Sequence, residues 1–183
     1  MKADGTGARI FFDTEFIEDG KTIELISIAL VREDGPALYL ENLECDLTPA
    51  SDWVKTNVFP HLKTPIKSTF MNGLYFDPEA KSDCALKRAD IAKKVIEFVG
   101  PKPEFWAYFA DYDWVVLCQL YGRMVDLPKG FPYYCRDVKQ EMDRLGIKKD
   151  MVEAIREANH DALVDALWCK SAWQLCQRKQ AQL

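Results

Sequence analysis

"ARIFFDTEFIEDGKTIELISIALV", residues 8–31, consists of two runs rich in β-branched and aromatic residues, joined through an Asp-Gly pair. Residues 8–16 read as a strand, "EDGK" at 18–21 as a turn and residues 22–31 as the returning strand of a hairpin. A second "EDG" at 33–35 precedes "ALYLEN" at 37–42. The first forty or so residues are therefore expected to form a three-stranded antiparallel meander. Within the first strand, Asp13 and Glu15 stand two apart, so their carboxylates share the face of Phe11, while Ile10, Phe12 and Thr14 take the other.

Beyond the meander, "SDWVKTNVFPHL" at 51–62 predicts a short helix capped by Ser51 or Asp52 and ended by Pro60. Residues 63–82 carry prolines and glycine without a period and read as an extended loop. In "SDCALKRADIAKKVIEFVG", 82–100, Leu86, Ala89, Ala92, Ile96 and Val99 fall on one helical face, with Gly100 as the stop. An aromatic strand is expected at 104–110, a helix at 111–124, a strand at 131–137 and a helix over "DVKQEMDRLG". The last helix runs from Ala162 to about Gln180, with Ala162, Ala166, Cys169, Trp173 and Cys176 as its stripe. The order is β-β-β-α-β-α-β-α, an α/β chain.

The 183 residues are 48% hydrophobic and 29% charged, which suits one globular domain over 1–183 with a real core. A net charge of −5 argues against a surface that coats nucleic acid, because such binding rests on Lys and Arg neutralising phosphates. It leaves room for a site that handles phosphates through bound cations. The six cysteines, 45, 84, 118, 135, 169 and 176, contain no Cys-x-x-Cys pair and read as reduced thiols. The amino-terminal "MKADGTGARI" lacks a signal-peptide core, and no apolar stretch is long enough for a membrane span. A cytoplasmic protein is expected.

An Asp-x-Glu pair is weak evidence alone, since Asp77-Pro-Glu79 is a second instance in a polar loop. Asp13 and Glu15 differ in closing a hydrophobic strand. In "AYFADYDWVVL", Asp111 and Asp113 lie where strand gives way to helix, the edge at which α/β sites are built. Asp111 can serve as an N-cap, which leaves Asp113 as the candidate site acid. In "NHDALVDALW", 159–168, Asp165 sits among apolar helix neighbours and needs a partner, which a metal ion would be. His160 precedes it by five residues, about 140° of helical rotation, so the two side chains approach one another only if His160 lies on the entering loop. Together Asp13, Glu15, Asp113 and Asp165 are a set able to hold two magnesium ions, with Mn²⁺ as a substitute. Histidine is the residue type whose ordinary pKa suits accepting a proton from the attacking water.

This ordered series, Asp-x-Glu, then aromatic-Asp after a strand, then His-x4-Asp, resembles the DEDDh 3′-5′ exonucleases of the ribonuclease H-like fold. "FFDTEFIEDG", "TIELISIAL", "WVKTNVFPHL", "DYDWVVLCQLYG" and "HDALVDA" look like segments of the small bacterial adenylate-specific exoribonucleases within that group. The resemblance spans residues 11 to 166 and implies a mixed sheet, the meander extended by parallel strands and flanked by helices. It also implies metal-binding roles for Asp13, Glu15, Asp113 and Asp165, His160 as general base, single-stranded RNA with adenylate-rich ends as substrate, and a homodimer. Many such enzymes carry His-Asn before the aromatic-Asp, where this chain has Tyr108-Phe109. Candidate base contacts are Phe16, directly after Glu15, then Ile17 and Trp53; Trp106 and Trp114 read as packing residues. A DNA exonuclease and a non-catalytic nucleic-acid-binding module remain the alternatives.

Overall fold

A computed structural model describes residues 7–153 and 160–183; the first six residues, with most of the segment read for a signal peptide, lie outside them, as does Asn159. The elements in chain order are β1 (Arg9–Glu18), β2 (Ile23–Arg32), β3 (Ala37–Asn42), α1 (Asp52–Asn57), β4 (Ile66–Ser68), β5 (Leu74–Phe76) and β6 (Ala85–Leu86). They continue as α2 (Arg88–Val99), β7 (Glu104–Ala107), α3 (Ala110–Gln119), β8 (Arg136–Asp137), α4 (Val138–Arg144) and α5 (Ala162–Gln180). The main sheet has the order β6-β3-β2-β1-β7-β8. β1, β2 and β3 pair antiparallel, and β7 joins β1 in parallel, as β8 joins β7 and β6 joins β3. This is the mixed, helix-flanked sheet that the ribonuclease H-like resemblance implies.

Alternation along β1 sorts its side chains into two cores. Ile10 and Phe12 meet Ile28 and Leu30 of β2 and the α2 and α3 residues Ile91, Val95, Val116 and Leu117 on one face. Phe11 meets Ala29, Val31, and the α4 and α5 residues Met142, Ala166, Cys169 and Trp173 on the other. Both phenylalanines are fully buried, each worth roughly 1.5–3 kcal/mol of transfer free energy. The hairpin turn forms as read, with Gly20 at a φ of 79° and Asp19 Oδ1 accepting from the backbone N–H groups of Lys21 and Thr22.

Four expectations need correction. Residues 63–82 are not all loop, for β4 and β5, three residues each and too short to show a period, form a hairpin turned at Asn72-Gly73. Buried Glu41 anchors its approach, accepting from Lys63 N at 2.6 Å and Thr64 N at 2.9 Å. The helix expected from 82 begins at Arg88, because Glu41 N and Leu43 N claim the carbonyls of Cys84 and Leu86 for the sheet edge. Its buried stripe is Ile91, Val95 and Val99, larger residues that displace the alanine-based face and leave Ile96 41% exposed. Of the strand expected at 131–137 only Arg136–Asp137 pairs, following Pro132 and two exposed tyrosines. The helix expected over 111–124 stops at Gln119, with Gly122 at a φ of 104° just beyond.

Candidate active site

Asp13 and Glu15 project from the middle of β1 on the Phe11 face, toward the start of α5. The register against β2 slips by one residue between Glu15 and Phe16. Such an irregularity re-aims the side chains that follow it. Phe16 turns to the cleft and stacks on Tyr112, with ring centroids 5.9 Å apart and planes at 11°. Ile17 goes instead into a third core cluster with Ile26, Leu47 and Phe76, so as an apolar side chain only 6% exposed it is packing and does not line the cleft.

Asp113 occupies the first turn of α3. Its Oδ1 accepts from the Thr14 backbone N–H at 2.9 Å and the Thr14 hydroxyl at 2.6 Å, all of it buried. Asp111 is exposed and faces a neighbouring groove beside Lys21 and Gln119. α3 is launched by Phe109, in a left-handed conformation, and Asp137, the N-cap of α4, accepts from Ala110 N at 3.1 Å. α5 is capped by the Asp161 carboxylate, which takes the N–H groups of Leu163 and Val164. That cap leaves His160 outside the helix at a φ of 65°, its N–H donating to Asp165 Oδ2 at 2.9 Å. The His160 ring meets Trp53 of α1 edge-on at 4.6 Å.

These residues line one open cleft of about 650 Å³. Asp13, Glu15, Asp113, Asp165, His160, Phe16 and Trp53 are all on its walls, together with Thr14, Tyr108, Phe109, Tyr112, Lys149 and Trp168. Thr14 and Lys149 carry no motif, whereas Tyr112 is the aromatic of the aromatic-Asp pair and Tyr108-Phe109 stand where many such enzymes have His-Asn. Trp106 is core, and Trp114 packs at its edge.

The acids repel one another. Burial first, and then the charges of Asp113, Glu15 and Asp165, hold the Asp13 carboxyl well above its usual range. Glu15 is pushed to about 8 by burial and by Asp165 and Asp113. Asp113 rises to about 7, burial outweighing the two Thr14 hydrogen bonds. Burial also raises Asp165, against the lowering effect of the His160 N–H. Carboxylates so placed bind either protons or a cation. One ligand atom each from Glu15, His160 and Asp165 lie within 4.8 Å of one another, a span that a single ion can bridge. Hard carboxylate oxygens suit a divalent cation, so the residues present fit the class of metal ion that the motif series implies.

Residues 73–177 match the family described as "3'-5' exoribonuclease Rv2179c-like domain". Two Mycobacterium tuberculosis proteins, 3'-5' exoribonuclease Rv2179c of strain H37Rv and 3'-5' exoribonuclease MT2234.1 of strain CDC 1551, are each 39% identical over 162 residues, 86% of this chain and 86% of theirs. Among solved structures, the catalytic unit of Neurospora crassa Pan2, comprising protease and nuclease domains, superposes with a TM-score of 0.49 at 14% identity, covering 99% of this chain and 29% of that one.

Proposed function

This chain belongs to the Rv2179c-like 3′-5′ exoribonuclease family, and from that premise we propose that residues 1–183 form one domain that removes nucleoside 5′-monophosphates from the 3′ end of single-stranded RNA. The observation that carries this reading is the convergence of Asp13, Glu15, Asp113, Asp165 and His160 from β1, α3 and the start of α5 on one cleft. The four carboxylates would hold two Mg²⁺ ions, or Mn²⁺ in their place. Bound there, the ions would lower the pKa of the attacking water and neutralise charge on the leaving 3′ oxygen. His160, off the helix and steadied by Trp53, takes the proton from water as the new P–O bond forms and the bond to the 3′ oxygen breaks. Phe16 and Trp53 offer aromatic faces to the departing base and its neighbour. The resemblance implies adenylate-rich ends and a homodimer, and the six free cysteines suit a cytoplasmic setting; no helix among the described residues is long and apolar enough to cross a membrane.

Matched single-stranded RNA and DNA, each incubated with Mg²⁺ and with EDTA, test the reading. The expected result is stepwise release of 5′-monophosphates from RNA with Mg²⁺ alone. Faster turnover of DNA would move the enzyme to that substrate, and equal behaviour with EDTA would make the chain a binding module.

Thr14 separates geometry from mere presence of the acids. Its hydroxyl fixes one oxygen of Asp113 and so aims the other at the cleft. Thr14→Val, similar in shape without the donor, is expected to weaken Mn²⁺ binding or turnover about 10–100-fold, the usual effect of losing a partner that orients a ligand. Thr14→Ser should restore both. Calorimetric titration of the metal-free protein with Mn²⁺ reads the first effect directly, and an unchanged affinity in Thr14→Val would show that Asp113 needs no such support.

A further inference from the structure

Among the described residues, Asn72, Lys102, Phe109 and His160 are the non-glycine residues with positive φ. Asn72 lies in a hairpin turn, whereas Phe109 and His160 both line the catalytic cleft. For a bulky side chain this conformation is an outlier. Phe109 has φ 59° and ψ 53°, and as N-cap of α3 it provides no side-chain hydrogen bond to the helix. Its ring is 59% exposed and belongs to none of the three core clusters. Its ring contacts are the edge of Tyr108 at 4.6 Å and, more distantly, the Lys139 ammonium at 6.0 Å.

Local physics disfavours phenylalanine here on every count. Asparagine or glycine would relax the backbone, asparagine would also cap α3, and little apolar surface would be lost. Strain without a packing return is characteristic of residues held for a ligand. The neighbours indicate which ligand. Tyr112, one turn along α3 and 60% exposed, lines the same cleft and stacks on Phe16, so Phe109 is one of several aromatic rings that the cleft presents beside its carboxylates. Such rings are the means by which single strands are held without sequence readout.

We propose that Phe109 is a substrate-binding residue whose ring stacks on a nucleobase of the RNA strand entering the cleft. The inference rests on the exoribonuclease reading for its choice of ligand. Its test is Phe109→Asn, with Phe109→Tyr as the conservative variant. Affinity is measured by fluorescence anisotropy of a labelled short single-stranded oligoadenylate, with Ca²⁺ in place of Mg²⁺ to prevent turnover, alongside thermal melting and Mg²⁺-dependent hydrolysis. Phe109→Asn should melt at or above the native temperature yet bind the oligoadenylate about 5–100-fold more weakly. In hydrolysis KM should rise while kcat at saturating RNA stays within about twofold, and Phe109→Tyr should bind like the native chain. Native affinity in Phe109→Asn overturns the proposal, as does a lower melting temperature that alone accounts for weaker binding. A change in oligomeric state by sedimentation with affinity intact would assign the ring to a protein contact instead. Should the native chain bind but not hydrolyse RNA, the exoribonuclease reading falls and the Phe109 measurement still decides the contact.

Discussion

Asp13→Asn is expected to abolish RNA hydrolysis and, in the metal-free protein at neutral pH, to raise the melting temperature. Both effects come from one position. Asp13 stands in the middle of the acid cluster, where burial and the charges of Asp113, Glu15 and Asp165 all disfavour its ionised form. Asparagine keeps the shape and removes the charge, so the remaining acids lose a repulsive neighbour. The same substitution removes an anionic ligand from the proposed two-ion site. Metal stabilisation of the transition state amounts to several kcal/mol, so a loss of about a thousandfold or more in kcat follows. Melting with EDTA and initial rates with Mg²⁺ measure the two outcomes separately. Activity within tenfold of native would contradict a metal role for Asp13. Lost activity with a lower melting temperature would mean that its carboxylate serves the fold.

What could be read in the sequence was what short-range periodicity governs. The two-residue spacing of Asp13 and Glu15 set their common face, and the Asp-Gly turn set the hairpin that places them at the centre of the sheet. The choice of Asp113 over Asp111 rested on an N-cap role for Asp111 that Phe109 holds instead, yet the structure puts Asp113 beside Thr14 and Asp111 in solvent. What could not be read depends on partners distant in the chain. Thr14 reads as a strand filler until α3 brings Asp113 to its hydroxyl, ninety-nine residues away. Nothing local marks Glu41 as buried, because its partners, the N–H groups of Lys63 and Thr64, lie 22 and 23 residues further on. Ile17 follows Phe16 as a candidate base contact, but the register slip after Glu15 sends the two to different places, and only pairing with β2 reveals the slip. The left-handed backbone at Phe109 contradicts its residue type, so no propensity rule would have found it.

The metal-free protein should lose stability as pH rises from about 5 to about 8, and Mg²⁺ should restore most of it at the upper end and little at the lower. Glu15 titrates at about 8 and Asp113 at about 7 in the folded chain, and Asp13 and Asp165 are raised as well. In the unfolded chain these carboxyls titrate near 4. Between the two ranges the folded state holds protons that the unfolded state has released, so its stability falls as pH climbs and levels off above the folded values. This is opposite to the usual behaviour of paired carboxylates, which lose stability in acid. Magnesium competes with those protons for the same oxygens, so its affinity must rise as they leave. At a hundredfold excess over its dissociation constant a ligand stabilises by about 2.7 kcal/mol, which for a chain of this size is roughly 5–10 °C in melting temperature. That shift is expected near pH 8 and should shrink toward zero near pH 5. Glu15→Gln should flatten the metal-free profile and reduce the Mg²⁺ shift together, because one carboxylate carries both. A metal-free melting temperature that rises from pH 5 to 8, or a Mg²⁺ shift indifferent to pH, would show that these acids are neither crowded nor ligands. A flattened profile in Glu15→Gln with an undiminished Mg²⁺ shift would keep the crowding and place the ion elsewhere.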